Sequence, residues 1–287
     1  MLQSLGWVND PDLVKKLIQT YNIQPIANLA GFAENAIPAS TGKFVNLAEN
    51  FRLETGHELP IFNQKTNYDC VGHSVALAAT VLSGLTDGAY LEIASEPIYA
   101  GAKYTNISPE YPCTKSGAIL LWGVIWIAKT GLFARKSYGT FNLIDYAPEL
   151  ARRWACTGVP TDVTANASRL TTYYANTVCS YEDARAAITD GRPVVIGTNT
   201  LFKTALEDEN IGTPMDSGRN GHCYCALGVN DRDGKPKILC YDSMGKFYYR
   251  EKSTARPRPS FWVTVDVFNK MIEAGEAYSI GYRPDFS

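Results

Sequence analysis

The chain has 287 residues, enough for two small domains or for one large enzyme domain built from two lobes. Its 45% hydrophobic and 11% aromatic content, with 27 basic residues balanced by 29 acidic ones, excludes disordered, collagen-like and coiled-coil chains. The net charge is -2 and basic clusters do not exceed a pair, so the counterion release that drives nucleic-acid binding has no source, and nucleic acid is not an expected partner.

The longest apolar run, residues 118–128, falls short of the ~18–20 residues of a membrane span and reads as a buried helix, so no membrane partner is expected. Residues 1–6 show neither a basic n-region nor an apolar h-region. Seven cysteines, an odd number, without an export signal read as reduced thiols in a cytoplasmic, reducing setting.

In chain order, the first periodic segment is 10–21: Asp10 caps a helix, Pro11 suits its first position, and Leu13, Val14, Leu17, Ile18 and Tyr21 share a face. From there to about residue 60 the text is loop-like, with Gly, Asn, Pro and Ser punctuation, and residues 1–60 read as an N-terminal extension packed on a main domain of 61–287. A second helix starts at Asp69-Cys70, with Gly84 just past its end. A third covers roughly 117–130 and stops at Gly131, apolar on both faces and therefore sandwiched. A fourth starts at Ser180, whose hydroxyl and Asp183 form a capping-box pattern, and ends at Asp190-Gly191.

After residue 190 the pattern changes to strands at 193–198, 222–229, 237–242, 261–265 and 278–282, with Asp233-Gly234 as a hairpin signal. Residues 201–221, rich in Gly, Asp and Asn, read as a surface lid. A helical lobe (about 61–175) followed by an antiparallel sheet or barrel lobe (about 176–287) predicts an α+β fold with a cleft between its halves.

Cys70 sits in the first turn of a buried helix, where the dipole favours a thiolate by roughly 0.3–1 kcal/mol. That is insufficient alone. An imidazolium at about 4 Å and an effective dielectric near ~20 adds on the order of 4 kcal/mol, enough to bring a thiol into the reactive range. Of the three histidines, His57 lies in the extension and reads as a surface residue. His73, one turn beyond Cys70, leans so as to flank the thiol and reads as a packed, supporting residue. His222 opens an apolar strand directly after the Gly-rich loop 217–221, where a ring can be held at a cleft edge, and is the expected partner.

The run Gln64-Lys65-Thr66-Asn67-Tyr68-Asp69-Cys70-Val71-Gly72-His73-Ser74 resembles the nucleophile segment of papain-like cysteine peptidases, where a Gln stands six positions before the Cys. Residues 220–229, from Asn220-Gly221-His222 onward, resemble the family's histidine strand, and Tyr241-Asp242-Ser243-Met244-Gly245 is similar to its Asn-Ser-Trp-Gly turn. The order Cys, His, polar partner agrees, as does a Cys-to-His separation near the family's ~130–150. Residues 117–131 resemble its second helix and Gly191-Arg192-Pro193-Val194-Val195 its Gly-Pro-Val strand, so the likeness covers about 60–287. Residues 69–73 also resemble divergent papain-like domains of some tailed-phage proteins, which implies a viral, virion-associated setting as a further expectation.

The resemblance implies a two-lobed thiol hydrolase that cleaves peptide or isopeptide bonds of a polypeptide lying in the interlobe cleft, with no cofactor and no metal. Cys70 is then the nucleophile, His222 the proton carrier, Asp242 the residue that orients the ring, and Gln64 with the Cys70 N–H the oxyanion donors. Asp242 in place of Asn also matches a transglutaminase-type set, so acyl transfer to an amine or cleavage of peptidoglycan cross-links uses the same triad. Met244 in place of Trp predicts a wetter His222–Asp242 pair, and Asp69 beside the nucleophile is expected to cap Val71 or Gly72. These departures, with an extension short for an inhibitory pro-segment, also fit a scaffold protein that keeps the fold with weak or no activity, the extension making assembly contacts.

A metal reading of Cys223, Cys225 and Cys240 with His222 is opposed by strand alternation, which points Cys223 and Cys225 away from the histidine. Cys113, Cys156 and Cys179 show no partner spacing and read as plain thiols. Tyr173-Tyr174 and Tyr248-Tyr249 read as packing and strand surface, and Glu207-Asp208-Glu209 as a solvated loop.

Overall fold

Helix α1 (Pro11–Thr20) begins where Asp10 accepts the Leu13 N–H at 2.9 Å and Pro11 fills the first helical turn. The computed structural model describes residues 6–28, 42–167, 172–206, 211–216, 221–232, 234–245 and 260–283. The segment that reads as loop before residue 60 contains β1 (Phe44–Asn46) and α2 (Leu47–Thr55), with Asn46 capping α2 through the Ala48 and Glu49 N–H groups. These elements escape a periodicity reading because each is under three turns or strand pleats long and gains its order from packing.

Helix α3 (Cys70–Asp87) is buried from Cys70 through Gly84. It does not stop at Gly84. A Cβ there would collide with the Phe51 ring of α2, so this glycine admits a neighbouring side chain, and the helix ends four residues later on Gly88 with φ 65°. Helix α4 (Ser95–Tyr104) packs closely on α3 at Gly72, where a Cβ would lie 2.6 Å from the Ser95 carbonyl oxygen. Helix α5 (Leu120–Thr130) is the apolar run; it is buried on its first turns and leaves Ile125 and Trp126 half-exposed, so only its N-terminal half is sandwiched. A short hairpin of β2 (Ser137–Tyr138) and β3 (Phe141–Asn142), then α6 (Pro148–Thr157) and α7 (Thr161–Thr164), complete this helical part.

Cys113 and Cys156 form a disulfide with Cα atoms 5.0 Å apart, correcting the reading of all seven cysteines as thiols. Their sequence separation of 43 hid the pairing, which depends on how α6 folds back rather than on any local spacing. Closing a loop of that length restricts the unfolded chain by about 4 kcal/mol.

The remaining elements are β4 (Thr172–Thr177), α8 (Tyr181–Thr189), β5 (Val194–Thr198), β6 (Thr200–Leu206), β7 (Ile211–Asp216), β8 (His222–Asn230), β9 (Lys237–Tyr241), β10 (Ser260–Thr264), α9 (Val265–Glu273) and β11 (Glu276–Arg283). Ser180 caps α8 through the Asp183 N–H, while Asp183 accepts the Cys179 N–H at 2.8 Å. The strands build one sheet in the order β4-β11-β5-β8-β9-β10-β7-β6, with β1 added on β8. The pairings between these strands are antiparallel except β10 with β7. The stretch read as a lid is thus the strand pair β6 and β7; the acidic run 207–209, Ser217–Asn220 and Tyr248-Tyr249 lie outside the described residues.

Strand β8 runs through the middle of this sheet and is buried from His222 to Val229, which explains its near-continuous apolar text. Helix α3 lies against β8 and β5, and residues of the helices and the sheet share one continuous core. This is the expected α+β architecture, with the helix that begins at Cys70 laid on the strand that begins at His222.

Candidate active site

Cys70 is the first residue of α3, His222 the first of β8, and Asp242 follows β9 directly. Since β8 and β9 pair antiparallel, with Cys225 opposite Tyr241, Asp242 arrives beside the start of β8. His222 Nε2 lies 2.7 Å from Asp242 Oδ1. Among the described residues, His222 Nδ1 has no hydrogen-bond partner; it is the ring nitrogen that Asp242 does not hold, and the imidazole and the Cys70 thiol interact electrostatically.

The charges follow. Burial alone would raise the Cys70 thiol, but hydrogen bonds from Cys223 and His222, the His222 charge and the Cys223 backbone N–H outweigh it and bring Cys70 down to about 6. For His222, burial works against the charged ring, and Asp242 and the Cys70 sulfur overcome it, raising the group to about 10. Between those values the stable form of the pair is thiolate with imidazolium. The Met244 substitution does not wet it: His222 and Asp242 are both buried.

Gln64 is anchored to the same turn as Asp242. Its backbone N–H donates to the Ser243 carbonyl at 2.8 Å, its Oε1 accepts the Ser243 hydroxyl at 2.7 Å, and its Nε2 donates to the Asn67 carbonyl at 2.8 Å. One N–H of that amide is therefore used within the loop leading to Cys70.

Asp69 does not cap the helix; its side chain makes no capping bond. It turns instead to the Tyr146 hydroxyl, which donates to it at 2.6 Å, and to His73 Nε2 at 3.5 Å. His73 continues to Ser95 Oγ at 3.4 Å, and Ser95 reaches Glu96, which is paired with Arg135 at 2.8 Å. The Asp69 carboxylate is thus engaged by Tyr146 and His73, and His73 sits within this buried chain of polar groups next to the start of α3. His57 is exposed against Tyr90.

Cys223 is the site residue that a reading by alternation misses. Alternation places it away from His222, but the Cys70 thiol interacts with both of the first two residues of β8. Burial and the neighbouring Cys70 raise the Cys223 thiol strongly, so it remains an S–H donor to the Cys70 sulfur.

No protein-family model and no curated protein matches the chain. Solved structures do. Xylellain, a cysteine protease from Xylella fastidiosa, superposes with a TM-score of 0.63 at 13% identity, covering 97% of this chain and 96% of that one. Procathepsin B S9 from Trypanosoma congolense gives 0.58 at 11% identity over 98% and 86%, and the bromelain protease of Ananas comosus in complex with the E64 inhibitor gives 0.53 at 13% over 86% and 100%. The chain has the papain-like fold.

Proposed function

We propose that the protein is a cysteine-dependent peptidase acting on peptide or isopeptide bonds. The observation that carries this reading is the buried Cys70–His222–Asp242 arrangement at a helix start laid on a strand, within a papain-like fold. The Cys70 thiolate attacks the carbonyl carbon of the scissile bond, forming a C–S bond and an oxyanion. The Cys70 N–H and the Gln64 side-chain amide receive that oxyanion, a contribution of roughly 2.7–4 kcal/mol per donor in comparable sites. As the oxyanion collapses, His222 gives its proton to the departing amine and the C–N bond breaks, leaving a thioester on Cys70. Water then attacks that thioester, His222 takes the water's proton, and the acid and the thiolate–imidazolium pair are regenerated. If an amine replaces water the same steps give acyl transfer.

Incubation with a peptide-amide library and mass-spectrometric detection of cleavage tests the reading. Turnover by the wild type that is lost in Cys70→Ala and in His222→Ala supports it; equal cleavage by Cys70→Ala would refute it, and absence of turnover with an unreactive Cys70 would favour a scaffold.

A further inference from the structure

Beside the Cys70 sulfur stands a second thiol to which peptide hydrolysis gives no bond-making part. Cys223 is the second residue of β8, and α3, which starts at Cys70, lies against that strand. The Cys223 thiol and its backbone N–H both act on the Cys70 sulfur. Ser74, one turn further along the same face of α3, interacts with the Cys223 thiol as well. Cys223 therefore lies over the first turn of the helix, its sulfur meeting Cys70 on one side and Ser74 on the other. A cavity of about 10 Å³, lined by Cys223 and Ser74 together with His73, Leu77 and Asp242, leaves the thiol room to turn without displacing a packed neighbour.

The two sulfurs differ in the way that a stepwise oxidation requires. Cys70 is the thiolate and reacts first with an electrophile. Burial and the Cys70 charge keep Cys223 protonated while that thiolate is present. A sulfenic acid on Cys70 is neutral, so the repulsion ends once Cys70 has been oxidised, whereas the Ser74 contact, which favours a Cys223 thiolate, remains. The second thiol thus becomes a nucleophile at the moment its neighbour becomes an electrophile.

We propose that Cys70 and Cys223 form a hydroperoxide-reactive pair, in which a hydroperoxide oxidises Cys70 and Cys223 then closes a Cys70–Cys223 disulfide that a thiol reductant reopens. The proposal rests on the Cys70 thiolate of the peptidase reading and adds a second reaction to it. The Cys70 sulfur attacks the outer peroxide oxygen; an S–O bond forms, the O–O bond breaks, and the departing oxyanion takes the His222 proton and leaves as an alcohol or as water. Cys70 is then a sulfenic acid. The Cys223 sulfur attacks the Cys70 sulfur, the S–O bond breaks, and the hydroxide leaves with the Cys223 proton as water. The peroxide has gained two electrons and each sulfur has lost one. A dithiol such as dithiothreitol returns both thiols and is itself oxidised to its disulfide. While bridged, Cys70 attacks no carbonyl and is protected from the sulfinic acid, which thiols do not reverse.

The test uses the full chain, wild type and Cys223→Ser, with hydrogen peroxide as the probe and peptide mapping by mass spectrometry without reductant. In the wild type, peroxide should yield a fragment in which the peptides holding Cys70 and Cys223 are linked, with fragment spectra that locate the bond at Cys223 and not at Cys225. Dithiothreitol should then restore iodoacetamide labelling of Cys70. Cys223→Ser keeps a small hydrogen-bonding side chain and lacks the second sulfur. Its Cys70 should be captured by dimedone as the sulfenic acid at least about fivefold more than in the wild type, and dithiothreitol should restore its labelling at least about fivefold less. A wild-type Cys70 that passes to the sulfinic acid with no linked fragment overturns the proposal, as does equal recovery in the two proteins or linkage of Cys70 to Cys179, Cys225 or Cys240 instead. Should Cys223→Ser not fold, the linked fragment in the wild type decides alone. A reducible Cys70–Cys223 link in a protein that cleaves no peptide removes the peptidase reading and leaves the pair standing, whereas peptide turnover without linkage does the reverse.

Discussion

Nε2 of His222 stands 2.7 Å from Oδ1 of Asp242, and both side chains are buried. This contact holds Nε2 and leaves the other ring nitrogen available to Cys70, and it supplies the negative charge that favours the protonated ring.

Replacing Asp242 by Asn keeps a hydrogen-bonding group but removes that charge. The His222 value then falls from about 10, and Cys70, which depends on the imidazolium, rises from about 6. The reactive window is expected to narrow from both sides, and Asp242→Ala to lose activity by about 10²–10⁴-fold. The pH dependence of kcat/KM for both variants measures this; an unchanged upper limb in Asp242→Asn would contradict it.

Cys223→Ala deletes the S–H donor to the Cys70 sulfur while leaving the backbone N–H in place. The Cys70 value should move up, and the rise of alkylation rate with pH should shift to higher pH by a measurable fraction of a unit or more. If the limb stays at its wild-type position, Cys223 is only a packing residue.

Much of this site can be read before folding. The spacing of Gln64 and Cys70, the cap-like start of α3, and the apolar strand opened by His222 point to residues that the structure brings together, because each signal is local. What cannot be read depends on distant segments. Asp69 looks like a cap from its position, yet Tyr146 and His73 offer it stronger partners from elsewhere in the fold. Gly84 looks like a stop until the Phe51 ring fills the space beside it. The Cys113–Cys156 pairing and the convergence of the Trp7, Leu120, Leu121 and Tyr278 donors on Glu276 likewise come from stretches far apart in the chain, and no periodicity announces them.

Tyr146→Phe tests the polar chain beneath the nucleophile. It leaves the fully buried Asp69 without its 2.6 Å donor, and a loss of about 1–3 kcal/mol in unfolding free energy is expected from urea titration. Stability equal to wild type would show that Asp69 finds another donor.

Cys113→Ser or Cys156→Ser, or reduction of the bond, should lower stability by about 2–4 kcal/mol, measured by denaturant unfolding with and without reductant. Peptide mapping without reductant should recover the two cysteines in one linked fragment, and recovery of both as free thiols would contradict the bridge.

The central claim is that Cys70 and His222 share an ion pair at neutral pH. The direct measurement is the rate of Cys70 alkylation by iodoacetamide across pH 4–11 in the wild type and in His222→Ala. In the wild type the rate should climb as pH passes about 6, where the thiolate forms, and change again only near about 10, where the imidazolium proton is lost. In His222→Ala the first rise should move to or above the ordinary thiol range near ~8.5. A wild-type profile with a single rise at that ordinary value, unchanged in His222→Ala, would contradict the account.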